Sequence, residues 1–199
     1  MTLPNILTVV RIFLTVLFVY LMNLSGIFFK LTATGVFTLA SLTDYWDGHY
    51  ARKHACVSNF GKLMDPIADK FLILTAFFVF ARMGLIAPWM FGVIFLREVV
   101  VTALRLVAVQ RRKILAAETA GKYKTIFQII AISVILIFIL LNESSLILKW
   151  PAQVRSGYEA GIYLLMLVVV FLTLFSGAVF LLNNRKEIFL LKTDQPYAR

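Results

Sequence analysis

Four aspartates, Asp44, Asp47, Asp65 and Asp69, carry the clearest chemical signal in this chain. With its gaps, the stretch reads Asp44-x2-Asp47-Gly48-x2-Ala51-Arg52-x8-Gly61-x3-Asp65-x3-Asp69. The chain has only 10 acidic residues, and these four sit at the ends of two strongly apolar segments. A carboxylate in a membrane helix costs roughly 2.5–3.5 kcal/mol on insertion scales, so four facing lipid would cost on the order of 10 kcal/mol. They must face a polar interior. At about 100° per residue, Asp44, Asp47, Gly48 and Ala51 fall on one narrow helix face, and Asp65 and Asp69 share a face of the next segment. The short connection between Arg52 and Gly61 makes the two segments antiparallel neighbours. Carboxylates at close range stay ionised together only with a cation between them. An all-oxygen donor set points to a hard divalent ion, Mg²⁺ or Mn²⁺. Gly48 and Ala51 leave room for a ligand to approach the backbone.

This eight-position pattern resembles that of the CDP-alcohol phosphotransferase family, with every fixed position present. The resemblance implies two divalent cations. It gives Asp44, Asp47 and Asp65 as principal ligands and Asp69 as ligand and general base. It also implies that Gly48, Ala51 and Arg52 hold the CDP moiety. Leu3-Pro4-Asn5-x2-Thr8-x2-Arg11 looks like the family's N-terminal stretch. On that likeness Asn5 and Thr8 belong to the CDP side, and Arg11 contacts a substrate phosphate, assigned to the acceptor. A snorkelling Arg11 with polar neighbours is the alternative for this stretch.

The elements that must position these residues are helices in a membrane. Of 199 residues, 61% are hydrophobic, 18 are Phe, and only 15% are charged. That composition excludes an ordinary soluble domain and predicts one all-α membrane bundle over residues 1–199. A net charge of +10 in so apolar a chain reads as attraction to anionic lipid and as topology signals, with no nucleic-acid partner. The single Cys56 excludes an intramolecular disulfide. No internal repeat is visible.

Six spans are predicted: Leu3–Asn23, Ile27–Arg52, a third from Ser58–Gly61 to Arg82, Leu85–Val109, Gly121–Leu141 and Tyr158–Asn183. A basic C-terminal tail is expected on the cytoplasmic membrane surface. The first apolar run lacks the flanking features of a signal peptide and reads as a span. Pro66 leaves two options for the third. Either Asp65 caps the helix with Pro66 as its first residue, or Ser58 caps it and Pro66 kinks it. With the Asp44–Asp69 turn in the cytoplasm, twelve basic residues fall on that side and four outside, which places both termini inside. The expected location is the inner, cytoplasmic membrane, with the aspartates facing the cytoplasm.

A second, basic constellation comprises Arg97, Arg105, Lys122 and Lys124, with Arg111 and Arg112 nearby. Basic residues within a span face a cavity and mark a substrate path. They suit an acceptor that carries its own phosphate. The alternative for Arg97 is that Glu98 neutralises it inside the bundle. The segments 97–105 and 121–125 resemble those of the family branch that makes phosphatidylglycerophosphate. The resemblance covers residues 3 to about 182. It implies transfer of the phosphatidyl group from CDP-diacylglycerol to sn-glycerol 3-phosphate, and it suggests a homodimer. Branches that use inositol phosphate, serine or phosphatidylglycerol stay open.

His49 and His54, five apart, fall on different helical faces and read as loop residues. Trp150 reads as part of an interfacial belt. A cation-coupled transporter also buries carboxylates. The short hairpin, the lack of repeat symmetry and a cluster at the boundary of the bilayer argue against it.

Overall fold

The structure, a computed structural model, describes residues 3–50, 59–110, 119–144 and 151–185, with side chains at 9–42, 70–108, 121–144 and 151–185. Six helices form among these residues, with no strand: α1 (Leu3–Asn23), α2 (Ile27–Tyr50), α3 (Asn59–Arg82), α4 (Pro88–Gln110), α5 (Thr119–Glu143) and α6 (Ala152–Asn183). Ala51, Arg52, His54, Cys56, Arg111, Arg112, Trp150 and the expected surface tail lie outside the described residues.

Turn chemistry sets the helix ends. Gly26 between α1 and α2 has φ 112°, and Gly84 after α3 has φ 74°, a region open chiefly to glycine. At Gly84 the chain closes a Schellman motif. Gly84 N–H bonds Ala81 O at 3.1 Å, and Leu85 N–H bonds Phe80 O at 3.0 Å. This turn delays α4 to Pro88, where the ring is preset for a first helical position, three residues beyond the expected start at Leu85. Buried Lys30 donates to Met22 O in the last turn of α1, which meets one of the carbonyls a helix end leaves unpaired. Gly26 N–H donates to Glu143, which ties this turn to the end of α5.

One further boundary falls within the expected Ser58–Gly61 start, and another differs from expectation. α3 starts at Asn59 and stays helical through Pro66, so Pro66 does not open it. α6 begins at Ala152, six residues before Tyr158. Its opening turns carry an exposed Arg155–Glu159 pair at 3.2 Å. Such a pair supports a helix without adding apolar periodicity.

α1 packs on α2 and α3, α6 packs on α4 and α5, and contacts of α3 with α4 and of α5 with α2 and α3 join the two groups. Fully buried Phe18, Phe77, Phe80, Met90, Ile94, Ile132, Ile135 and Met166 form the shared core. The outer faces are apolar too: Phe13, Phe28, Leu96, Leu164, Phe171 and Leu182 are largely exposed. Among the described residues, two stretches, Gly121–Glu143 and Ala152–Asn183, are long and apolar enough to cross a membrane. Shorter apolar stretches occupy Val9–Asn23 and Ile27–Leu42. α4 is a continuous helix whose apolar run is broken by Arg97, Glu98 and Arg105.

Candidate functional site

Where α3, α4 and α5 meet, one carboxylate holds three cations. Glu98 of α4 is 3% exposed. Lys124 of α5 donates to its Oε1. Arg97 Nη1 donates to the same oxygen at 3.1 Å, and Lys70 Nζ of α3 lies 2.9 Å from Oε2. The lysine and arginine are held from behind as well. Lys70 donates to Thr102 Oγ1 at 2.7 Å, and Arg97 Nη2 donates to Ser176 Oγ of α6 at 2.8 Å. Gly177 makes the Arg97 contact feasible. A Cβ there would stand 3.2 Å from Arg97 Cγ.

Among the described residues, three cations around one carboxylate leave a formal excess of two positive charges. A phosphate monoester carries about −1.5 to −2 at pH 7, so the excess matches such a ligand. Beside the cluster is a cavity of about 270 Å³. Arg11, Ser41, Lys70, Glu98, Lys124 and Gln128 line it, with Leu72, Ile73 and Leu74 giving an apolar wall.

The same cavity reaches the aspartate helices. Its wall includes Ser41 of α2 and Ile73 of α3. Asp44 and Gly48 follow Ser41 by three and seven residues in one continuous helix, so they share its face. Asp65 and Asp69 precede Ile73 by eight and four residues, also in one continuous helix. Lys70 directly follows Asp69 in sequence. α2 packs against α3. Carboxylates are the donor type that hard divalent cations take, and these two adjoining helices carry four aspartates in sequence. The side chains of Asn5, Thr8, Asp44, Asp47, Gly48, Asp65 and Asp69 lie outside the described residues, although the helices that carry them are described.

Of the basic residues singled out in the sequence, the structure brings Arg11 and Lys124 to the cavity wall, with Arg97 bound to Glu98 beside it. It sets two others apart. Arg105 is exposed and stands over the Phe180 ring, 5.3 Å from its centroid. Lys122 is exposed, and neither residue lines this cavity. Glu98 does neutralise Arg97, as the alternative had it, but it takes Lys70 and Lys124 as well. Sequence reasoning missed Lys70, Ser41, Gln128 and Ser176. Gln128 stands four residues after Lys124, a spacing that puts both on one face and could have revealed it.

The profile of the CDP-alcohol phosphatidyltransferase family matches residues 1–174. A 102-residue stretch, 51% of this chain, is 47% identical to 53% of the CDP-diacylglycerol--glycerol-3-phosphate 3-phosphatidyltransferase of Bacillus subtilis (strain 168). A protein of the same name from Mycoplasma pneumoniae is 38% identical over 65% of each chain. The probable phosphatidylglycerophosphate synthase of Mycobacterium tuberculosis is 38% identical over 65% of this chain and 63% of its own. The chain thus spans between about half and two-thirds of the length of these relatives. The motif, the helical bundle and the profile lead to one conclusion: the chain belongs to the CDP-alcohol phosphatidyltransferase family.

Proposed function

We propose that this protein is an enzyme that transfers the phosphatidyl group of CDP-diacylglycerol to sn-glycerol 3-phosphate, giving phosphatidylglycerophosphate and CMP. One observation carries the reading. A single cavity is walled by Ser41 of α2 and Ile73 of α3, the helices that carry the four aspartates, and lies beside a cluster in which three described cations meet one described carboxylate. The names of the relatives support the same donor and acceptor.

In this reading Asp44, Asp47, Asp65 and Asp69 hold two divalent cations, Mg²⁺ or Mn²⁺. Bound there, such ions neutralise the donor's pyrophosphate and polarise the phosphoryl group. Gly48, Ala51 and Arg52, with Asn5 and Thr8, hold the CDP moiety. Lys70, Arg97, Lys124 and Arg11 take the acceptor's phosphate through charge-assisted bonds. Arg105 and Lys122 stand further out and serve as an approach field for the anion. Asp69 accepts the proton of the attacking hydroxyl. The hydroxyl oxygen bonds to the phosphatidyl phosphorus, and the phosphorus–oxygen bond to CMP breaks, with its electron pair leaving on CMP.

All six helices span the cytoplasmic membrane, with the aspartate end facing the cytoplasm, the C-terminal tail on that surface, and a homodimer as the assembly. The distribution of side chains supports a bilayer. Large apolar residues cover the outside while Glu98, Lys124, Arg11 and Gln128 are buried, the reverse of a soluble protein.

The test is an acceptor panel with labelled CDP-diacylglycerol and purified protein. CMP release with sn-glycerol 3-phosphate, and little with glycerol, serine or inositol phosphate, is the expected result. Equal turnover of an unphosphorylated acceptor overturns the reading.

A further inference from the structure

Gln128 is 2% exposed, and its Nε2 has no hydrogen-bond partner. Its side chain lines the cavity beside the cation cluster. A buried unpaired donor is costly to a fold, so a fold that keeps one has a use for it. Gln128 lies four residues beyond Lys124 on α5. It therefore shares the cavity-facing side of that helix, one turn further from the helix start at Thr119. The positions differ in charge. Lys70, Lys124 and Arg11 offer cations to the cavity. Gln128 offers a neutral amide with Leu72, Ile73 and Leu74 in the same wall. Cations suit a phosphate, whereas a neutral N–H in a partly apolar wall suits a hydroxyl oxygen. sn-Glycerol 3-phosphate has two hydroxyls. One attacks, and the other, on the middle carbon, remains to be read.

We propose that Gln128 is a specificity-determining residue, whose amide donates to the non-reacting hydroxyl of a small phosphorylated polyol while the cations hold its phosphate. The inference rests on the acceptor assignment above and deepens it. Sites built to hydrogen-bond a hydroxyl reject analogues that lack it, because their own buried group is left unpaired.

The experiment compares sn-glycerol 3-phosphate with 3-hydroxypropyl phosphate, which lacks the middle hydroxyl. It uses full-length wild type, Gln128→Met and Gln128→Asn, with CDP-diacylglycerol and a divalent cation. Wild type should prefer glycerol 3-phosphate by about 5- to 150-fold in kcat/KM. Gln128→Met should lose that factor for glycerol 3-phosphate and leave the analogue nearly unchanged. Gln128→Asn, whose amide is one methylene short, should lose it in part. The melting temperature of ligand-free Gln128→Met should not fall, since Nε2 has no protein partner to lose. Equal wild-type use of both acceptors overturns the inference. So does an equal loss on both in the variants, or a preference that survives Gln128→Met. Those outcomes leave the acceptor assignment standing. Wild type without turnover of glycerol 3-phosphate overturns the assignment and the inference together.

Discussion

Lys124 of α5 donates to the Glu98 carboxylate of α4, and both side chains are buried. Glu98 also meets Lys70 and Arg97, so among the described residues it is the counter-charge that these three cations share. Removing one partner of a buried ion pair costs about 3–5 kcal/mol. Glu98→Gln, which keeps the shape and removes the charge, should destabilise the protein by that order and lower its melting temperature in detergent. Surviving activity should show a weakened acceptor kcat/KM with little change in the KM for CDP-diacylglycerol. An unchanged melting temperature would remove Glu98 from the centre of the network.

The cations should sort by place. Lys70 and Lys124 line the cavity, whereas Arg105 and Lys122 are exposed outside it. A hydrogen bond to a charged group contributes roughly 1.5–3 kcal/mol, so Lys70→Ala and Lys124→Ala should each cost about 10- to 150-fold in acceptor kcat/KM. Exposed charges act through about 0.2–1 kcal/mol, which limits Arg105→Ala and Lys122→Ala to about fivefold. Steady-state kinetics with each substrate varied in turn check the order. The reverse order would move the phosphate pocket to the outer residues.

Gly177 gives a finer test of Arg97. The Cβ of Gly177→Ala would meet Arg97 Cγ at 3.2 Å, so Arg97 has to give by a few tenths of an ångström, which disturbs its bond to Ser176. The expected result is a several-fold loss in acceptor kcat/KM, with a larger loss for Gly177→Val. Both variants with wild-type kinetics would show that the Arg97–Ser176 bond is dispensable.

These residues also show how far the sequence could be read. Asp44, Asp47, Asp65 and Asp69 sit at three- and four-residue spacings within helices, and the bounds of α1 follow from one apolar run. Such features are local, and periodicity reveals them. The cation cluster is not local. Lys70, Glu98, Lys124 and Ser176 come from four helices, and only packing brings them together. Lys70, next to Asp69, stands outside the aspartate pattern and has no spacing of its own to mark it. Arg97 and Arg105 share a helix side at eight-residue spacing, and both meet α6, but at successive turns with different partners. Arg97 ends on Ser176, while Arg105 lies over Phe180 one turn further along α6. The early start of α6 was missed for a related reason, since Arg155 and Glu159 continue a helix without apolar periodicity.

The aspartates make a separate prediction. Four carboxylates and a pyrophosphate require cations between them. Excess chelator should abolish CMP release, and Mg²⁺ or Mn²⁺ should restore it. Asp44→Asn, Asp47→Asn and Asp65→Asn should each remove most turnover in a folded protein. Asp69→Asn should lose kcat more than donor binding. Full activity in chelator contradicts the cation assignment.

The central claim is that one cavity joins the donor's aspartate site to the acceptor's phosphate site. A crystal structure of the wild-type protein with Mn²⁺ and sn-glycerol 3-phosphate tests it most directly. Anomalous scattering from manganese should peak among Asp44, Asp47, Asp65 and Asp69. The phosphate should lie in the same cavity, within hydrogen-bond distance of Lys70 or Lys124. A phosphate bound instead at Arg105 and Lys122, or manganese away from the four aspartates, would contradict the account.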